Sequence, residues 1–226
     1  MKGITKLLLF LCFVPLFSLS PDELMGKTKI TEDTNFVRFS SAGRTFFLRR
    51  EAYIALTNMI HAAQKDGISL WVVSAYRSFD DQKRIWERKW NLFSSQYPDP
   101  QKRLVWILRY SSLPGTSRHH WGTDVDLVSV DPRFFLTAQG KKILSWLENH
   151  APSYGFLRPY TTLSQRKGGY EEEPWHWSYA PLAREYLSVY TNLVQKTNIH
   201  GFLGDAFLDE IDITTYVLGI NPDLLP

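Results

Sequence analysis

The sequence has a single cysteine and no basic run. Cys12 is the only thiol among 226 residues and lies in an apolar N-terminal stretch, which excludes an internal disulfide and leaves no cysteine ligand in the rest of the chain. Lys and Arg number 26 against 23 Asp and Glu, and no segment has the density of positive charge that follows a phosphate backbone. We therefore expect no nucleic-acid partner.

No long hydrophobic run is present either. Two lysines precede an apolar stretch over residues 7–17, which is shorter than the ~20 residues of a stable transmembrane span. Residues 1–20 therefore read as a signal peptide, and we expect an exported protein, periplasmic or at the cell surface. A lipid anchor at Cys12 is not expected, because Leu11 is bulky for the usual attachment signal.

What is present is the composition of one ordinary globular domain, with 44% apolar residues. Hydrophobic periodicity and turn residues predict strands within 35–48, 68–74, 124–130 and 175–179, and helices over 50–65, 79–93, 101–110, 138–149 and 181–196. The strands and helices do not alternate regularly. The pattern therefore predicts an α+β fold with a small, largely antiparallel sheet flanked by helices.

The same pattern sets the expected domain limits. Residues 35–199 form the predicted domain, 21–34 a loose lead-in, and 200–226 a tail to which no role is assigned. We expect a monomer.

Histidines and acids provide the candidate chemistry. His119 and Asp126 lie seven residues apart on either side of a glycine, and His176 follows about fifty residues later. Two imidazoles and one carboxylate would leave one position of a tetrahedral zinc ion open for water, which is what a catalytic zinc needs. Spacing alone does not single out this set, because such pairs are common by chance.

Three motifs carry a resemblance that covers about residues 70–180. Ser117–Asp126 resembles the S-x-H-x-x-G-x-A-x-D signature of the D-alanyl-D-alanine carboxypeptidases related to VanY. Glu173–Trp177 is similar to that family's E-P-W-H-W, and Ser74–Gln82 resembles its S-x-Y-R-S-x-x-x-Q segment. Tyr154–Phe156 also matches a family stretch.

The resemblance implies a zinc peptidase with a small α+β fold shared with the zinc domain of Hedgehog proteins. It implies one zinc ion per chain and peptidoglycan stem peptides as substrate. By position it makes His119, Asp126 and His176 the zinc ligands, Glu173 the catalytic base, Arg77 a catalytic group near the scissile carbonyl, and Ser117 and Gln82 substrate-binding residues. The roles fit the residue types, since a free carboxylate can take a proton from water and an arginine can stabilise an oxyanion.

Each assignment has a simpler alternative. Glu173 belongs to an acidic run that can equally be a solvated loop, and Arg77 can pair with Asp80 or Asp81. Ser117 can be a turn cap. His120 can replace His119 as a ligand, although this breaks the family spacing.

Two positions depart from the family pattern. Asp124 stands where the family usually has alanine, and Ser178 where it more often has arginine. On a strand, Asp124 and Asp126 point to one face. We therefore expect Asp124 to approach the site as an acid that supports a ligand or binds the substrate's amine, and not as a ligand.

The predicted function is that of a D,D-carboxypeptidase, with an endopeptidase of the same family as the alternative. A non-catalytic wall-binding or Hedgehog-like module that keeps zinc for stability is the rival from another class. Glu173 favours an enzyme, because a binding module needs no base beside an open metal position. A serine hydrolase is disfavoured, since neither Ser74 nor Ser117 lies in a G-x-S-x-G setting.

Overall fold

The structure, a computed structural model, describes residues 19–226. Residues 1–18, which carry most of the predicted signal peptide, lie outside the described residues. Of the predicted signal's last two residues, Leu19 is buried and Ser20 caps the first helix. Within the described part of the chain, no helix combines the length and the apolar character needed to cross a membrane.

The described residues form a mixed α+β fold, as predicted. The α-helices are α1 (Pro21–Leu24), α2 (Arg50–Lys65), α3 (Phe79–Leu92), α4 (Pro100–Leu108), α5 (Ala138–His150), α6 (Ala180–Leu193) and α7 (Ile213–Leu218). The strands are β1 (Phe36–Ser41), β2 (Arg44–Arg49), β3 (Val72–Ser74), β4 (Asp124–Leu127), β5 (Phe156–Leu157) and β6 (His176–Tyr179). Short 3₁₀ turns connect several of them.

A four-stranded antiparallel sheet carries the site. Its order is β3-β4-β6-β5, and β1 and β2 form a separate antiparallel hairpin. In the β4–β6 pair, Asp126 lies opposite His176 and Asp124 lies opposite Ser178. This register brings two distant sequence segments side by side.

Helix α3 begins at a capping box that fixes the preceding Arg77. The Ser78 hydroxyl accepts a hydrogen bond from the Asp81 amide, and the Asp81 carboxylate accepts one from the Ser78 amide. Such reciprocal caps satisfy amides that the first helical turn leaves free. The Arg77 amide donates to the His119 carbonyl at 3.1 Å, which ties the helix start to the His119 loop.

Two hydrophobic clusters support the fold. One packs α2 and α5 against the sheet and contains Leu56, Leu147 and Trp177. The other surrounds α3, α4 and α6 and contains Trp86 and Leu187. Trp177 is therefore a core residue, one of the two positions expected for it.

The lead-in and the tail are more ordered than the sequence indicates. The prediction of a loose segment over 21–34 is wrong for its first part, because Leu24 and Met25 are almost fully buried in the α3 cluster. Leu208 and Leu224 of the tail are buried in the same cluster. The predicted strand over 124–130 is shorter than expected, since β4 ends at Leu127.

Candidate active site

Three buried side chains converge on one point of the sheet. His119, Asp126 and His176 each offer a ligand atom, and these atoms all lie within 4.8 Å of one another. The Asp126 Oδ1 atom is buried and has no hydrogen-bond partner among the described residues. A buried carboxylate oxygen without a donor is costly, and a cation at this point would satisfy it. The donor set fits a single divalent metal.

The His119 ring is held through Nδ1, on the side away from the cluster. Its Nδ1 atom lies 2.8 Å from the Ala75 carbonyl oxygen, which can only accept a hydrogen bond, so Nδ1 carries the proton. Nε2 then points towards Asp126, 3.4 Å from Oδ2. His119 thus presents Nε2 to the cluster.

The His176 ring has the opposite orientation. Nε2 lies 3.0 Å from Asp124 Oδ1, while Nδ1 faces Asp126 Oδ1 at 3.6 Å and Glu173 Oε2 at 2.9 Å. Burial disfavours the imidazolium, but the hydrogen bonds to Asp124 and Glu173 outweigh it and raise the pKa of His176 to about 10. His176 thus presents Nδ1 to the cluster, held among three carboxylates.

Asp126 is ionised despite its burial. Burial by itself raises the pKa of this carboxyl, but the two imidazoles and Arg77 outweigh it, and the pKa is lowered below its usual value. The ligand set of one carboxylate and two histidines therefore keeps its negative charge.

Glu173 lies beside the cluster and outside it. Its carboxylate lines the cavity, and its backbone amide donates to the Tyr160 carbonyl at 3.0 Å. The other two acids of the run point elsewhere: Glu171 pairs with Arg109 at 2.7 Å and Glu172 with Arg158 at 3.1 Å. The solvated-loop alternative thus describes Glu171 and Glu172.

Arg77 reaches into the same cavity. Its guanidinium donates to Ser74 Oγ at 3.0 Å and to Gln82 Oε1 at 2.6 Å, and it lies 3.8 Å from Asp126 Oδ2. Asp81, one of the surface acids proposed as its partner, pairs with Arg84 instead. Arg77 therefore lies in the cavity beside the cluster, and its role near the reacting carbonyl stays a prediction.

Gln82 does not line the cavity. It is 1% exposed, and both ends of its amide are used, because Oε1 accepts from Arg77 and Nε2 donates to the Ser112 carbonyl at 2.6 Å. These contacts do not support the predicted contact of Gln82 with the substrate, which stays a prediction. Gln82 holds the Arg77 guanidinium in place.

Asp124 is likewise behind the site. Its side chain is fully buried and bonds Arg118, Thr123 and His176, and it does not line the cavity. This position does not support the predicted contact with the substrate, which stays a prediction. Its contact with a ring of the cluster agrees with the other expectation, that it supports a ligand.

His120 is structural. Its Nδ1 atom bonds the Arg77 carbonyl at 2.6 Å, and its Nε2 atom accepts from the Gly115 amide at 3.1 Å. Burial lowers the pKa of this ring to about 3. Both nitrogens are in use, which removes His120 as an alternative ligand.

The cluster opens onto a cavity of about 310 Å³. Ser117 lies on its wall beside His119, as the predicted substrate contact requires. Among the wall residues that sequence reasoning missed are Lys89, Arg88 and Tyr160. Helical spacing provided a signal for Lys89, because positions 82, 86 and 89 share one face of α3. Tyr160 packs edge-on against His176, with ring centroids 5.0 Å apart, and nothing in its sequence setting indicated this.

An α+β domain with a buried two-histidine, one-carboxylate cluster in an open cavity defines a class of candidate metal-dependent enzymes. The sequence model of the family described as VanY, D-alanyl-D-alanine carboxypeptidase, matches residues 45–182. The chain therefore belongs to the VanY family.

Individual relatives agree with this membership. YodJ of Bacillus subtilis (strain 168), an inferred carboxypeptidase, is 34% identical over 139 residues, which are 59% of this chain and 46% of YodJ. A D-alanyl-D-alanine carboxypeptidase of Enterococcus faecalis is 29% identical over 143 residues, 62% of this chain and 50% of that protein. The chain thus spans about half the length of the curated relatives it matches.

Solved structures share the fold. A mutant of the vancomycin resistance D,D-pentapeptidase VanY in complex with Zn(II) has a TM-score of 0.55 at 21% identity, covering 80% of this chain and 93% of that one. The LD-carboxypeptidase LdcB has a TM-score of 0.50 at 28% identity, covering 72% of this chain and 79% of that one.

Proposed function

We propose that this protein is a zinc-dependent D-alanyl-D-alanine carboxypeptidase acting on peptidoglycan stem peptides. The observation that carries the proposal is the buried cluster of His119, Asp126 and His176 with the Glu173 carboxylate beside it in one cavity. Family membership supports the reaction, and a VanY structure described as a complex with D-alanine-D-alanine supports the ligand class.

The residues suit zinc. Nε2 of His119, Nδ1 of His176 and a carboxylate oxygen of Asp126 are nitrogen and oxygen donors that zinc accepts, and three protein ligands are typical of a catalytic site. When bound, zinc polarises a carbonyl and lowers the pKa of water from 15.7 towards about 7.

The remaining steps fall to side chains of this chain. Glu173 accepts the proton of the attacking water and passes it to the leaving amine, as a general base that then acts as acid. Arg77 is permanently charged and donates to the carbonyl oxygen as negative charge develops there. Gln82 and Ser74 hold its guanidinium, so little reorganisation is needed at that moment. Ser117 lies where it can contact the peptide.

The charge of the cavity favours a carboxypeptidase over the endopeptidase alternative. Lys89, Arg88 and Arg77 line it, against the two carboxylates of Asp126 and Glu173, and a divalent metal would add to the positive excess. A peptide that ends in a free carboxylate next to the scissile bond supplies the missing negative charge. An internal peptide bond does not.

The non-catalytic alternative accounts less well for the site. A zinc ion kept for stability needs only its ligands. Here the Glu173 carboxylate and the Arg77 guanidinium both face the cavity, and each is held by further contacts. These groups have a use in hydrolysis and none in a closed structural site.

Release of D-alanine from a stem pentapeptide tests the activity. Glu173→Gln keeps the size of the side chain, and we expect it to keep zinc but lower turnover by ~10²-fold or more, as removal of a general base does. Glu172→Gln is the matched control, since this neighbour pairs with Arg158 outside the cavity. Full activity in Glu173→Gln would reject the assigned base, and absence of D-alanine release by the zinc-loaded wild type would reject the function.

We also propose that the protein acts outside the cytoplasm as a monomer. The apolar stretch after two lysines at the N-terminus supports export, and the absence of cysteine from residues 19–226 is compatible with an oxidising compartment. N-terminal sequencing of the protein recovered from cell fractions tests export. Full-length protein confined to the cytoplasm would contradict it.

A further inference from the structure

We propose that Asp124, backed by Arg118 and Ser178, is a positioning residue that fixes which nitrogen of His176 faces the metal. The inference rests on the proposed zinc site and goes beyond it. It concerns three residues that are not ligands and do not line the cavity.

The Asp124 carboxylate is fully committed to its neighbours. Oδ1 lies 3.0 Å from His176 Nε2 and 3.0 Å from Arg118 Nε, and Oδ2 accepts from the Thr123 hydroxyl. The residue has no exposed surface. Because a carboxylate oxygen accepts hydrogen bonds, Oδ1 is placed to accept from His176 Nε2–H.

Arg118 is buried beside Asp124 and bonded on its other side. Its Nη2 atom donates to Ser178 Oγ at 2.6 Å, its guanidinium lies 4.8 Å from the ring centroid of Trp121, and the residue is 3% exposed. A buried charge of this kind needs a partner of opposite sign. Asp124 is that partner.

The two departures from the family pattern thus meet in space. Asp124 and Ser178 lie directly opposite each other on β4 and β6, and Arg118 bonds both. The serine at 178 leaves room for, and accepts from, an arginine that comes from the turn before β4. The two departures therefore form one hydrogen-bonded unit with Arg118, in which the Asp124 carboxylate faces Nε2 of His176.

The consequence for the metal site follows from imidazole chemistry. A neutral ring carries its proton on one nitrogen and can bind a metal through the other. In the metal-free structure both ring nitrogens face carboxylates, Nε2 at Asp124 and Nδ1 at Glu173. A metal ion would need the lone pair of one nitrogen, and the bond to Asp124 would keep the remaining proton on Nε2, so that Nδ1 would face the metal. Partners of this kind orient ligating histidines, and their loss typically weakens metal binding by ~10–100-fold.

The wild-type protein provides the first test. In zinc-loaded protein with ¹⁵N-labelled histidine, we expect the His176 ring to show a slowly exchanging proton on Nε2 and a metal-shifted Nδ1. A ring with the proton on Nδ1 would overturn the proposal without any variant.

Variants provide the second test, with zinc affinity measured by chelator competition. We expect Asp124→Ala to weaken zinc binding by ~10–100-fold, and Asp124→Asn, whose amide oxygen still accepts from Nε2–H, to recover most of the loss. Arg118→Met by itself should weaken zinc binding. Combined with Asp124→Ala it should cause no further loss of zinc affinity, because Arg118 acts through the Asp124 carboxylate. Asp131→Ala is the control, because Asp131 is an exposed acid paired with Arg133, and it should leave the zinc affinity unchanged.

The outcomes separate the two proposals. A folded Asp124→Ala with wild-type zinc affinity overturns the positioning role while the zinc site stands. If Asp124→Ala does not fold, Arg118→Met decides the question, and wild-type zinc affinity in that variant overturns the positioning role. A wild type that binds no zinc overturns the proposed function itself.

Discussion

Lys89 offers a quantitative test of what the cavity binds. Its ammonium donates to the Tyr110 carbonyl at 3.2 Å, and no carboxylate of the described residues lies within 4.0 Å of it. Burial lowers the pKa of this lysine, as expected for a cation withdrawn from water without a direct counter-ion. We expect the free carboxylate of the substrate to be the missing partner of Lys89. Lys89→Met removes the charge and keeps most of the side-chain length.

The expected size of the effect follows from one charge-assisted hydrogen bond. Such a bond contributes about 1.5–3 kcal/mol. At 1.4 kcal/mol per factor of ten, kcat/KM for a free-acid peptide is expected to fall by ~10–150-fold. Because the carboxylate is charged in both the bound substrate and the transition state, most of the loss is expected in KM, with little change in kcat.

The assay compares a stem peptide that ends in a free acid with the same peptide as its C-terminal amide. Lys89→Met should affect the free acid strongly and the amide little. Lys83→Met is the control on the same helix, since its ammonium lies 3.9 Å from Glu87 and does not line the cavity. An unchanged KM for the free acid, or an equal loss on both peptides, would refute the reasoning.

Three further predictions concern stability. Leu24→Ala is expected to cost ~2–5 kcal/mol in urea unfolding, because it removes a fully buried side chain; a loss near zero would mean that the N-terminal segment does not pack as described. Gly122→Ala is expected to lower the melting temperature, since φ is +71° and a Cβ atom would lie 2.4 Å from the Phe36 ring; an unchanged melting temperature would contradict this. In metal-free protein the pKa of His176 is raised to about 10, so its contribution to stability is complete below about pH 6.5 and is lost as the pH rises towards 10. Urea unfolding at pH 6.5 and 9.5 measures this decline, which should be smaller in Glu173→Gln, where one partner of the ring is weakened.

Much of the site was predictable from the sequence. The three-motif resemblance indicated which histidines and which aspartate to consider, and strand alternation placed Asp124 on the face of Asp126. Periodicity gave most helices to within a few residues. The start of α3 could be predicted because Ser78 and Asp81 have the spacing of a capping box.

The features of the site that the sequence did not predict depend on tertiary contacts. The nitrogen of His176 that Asp124 reaches is set by the β4–β6 register, which local sequence does not encode. Gln82 is polar and near Arg77, and only the structure shows that its amide is saturated by Arg77 and Ser112. The burial of Leu24 likewise depends on a cluster built from distant segments of the chain.

Zinc reconstitution of metal-depleted protein is the decisive test of the His119, Asp126 and His176 site. D-alanine release should rise linearly with added zinc and level off at about one equivalent per chain, with no recovery in His119→Ala or His176→Ala. Activity in the metal-depleted wild type, or full zinc binding by both histidine variants, would contradict the account.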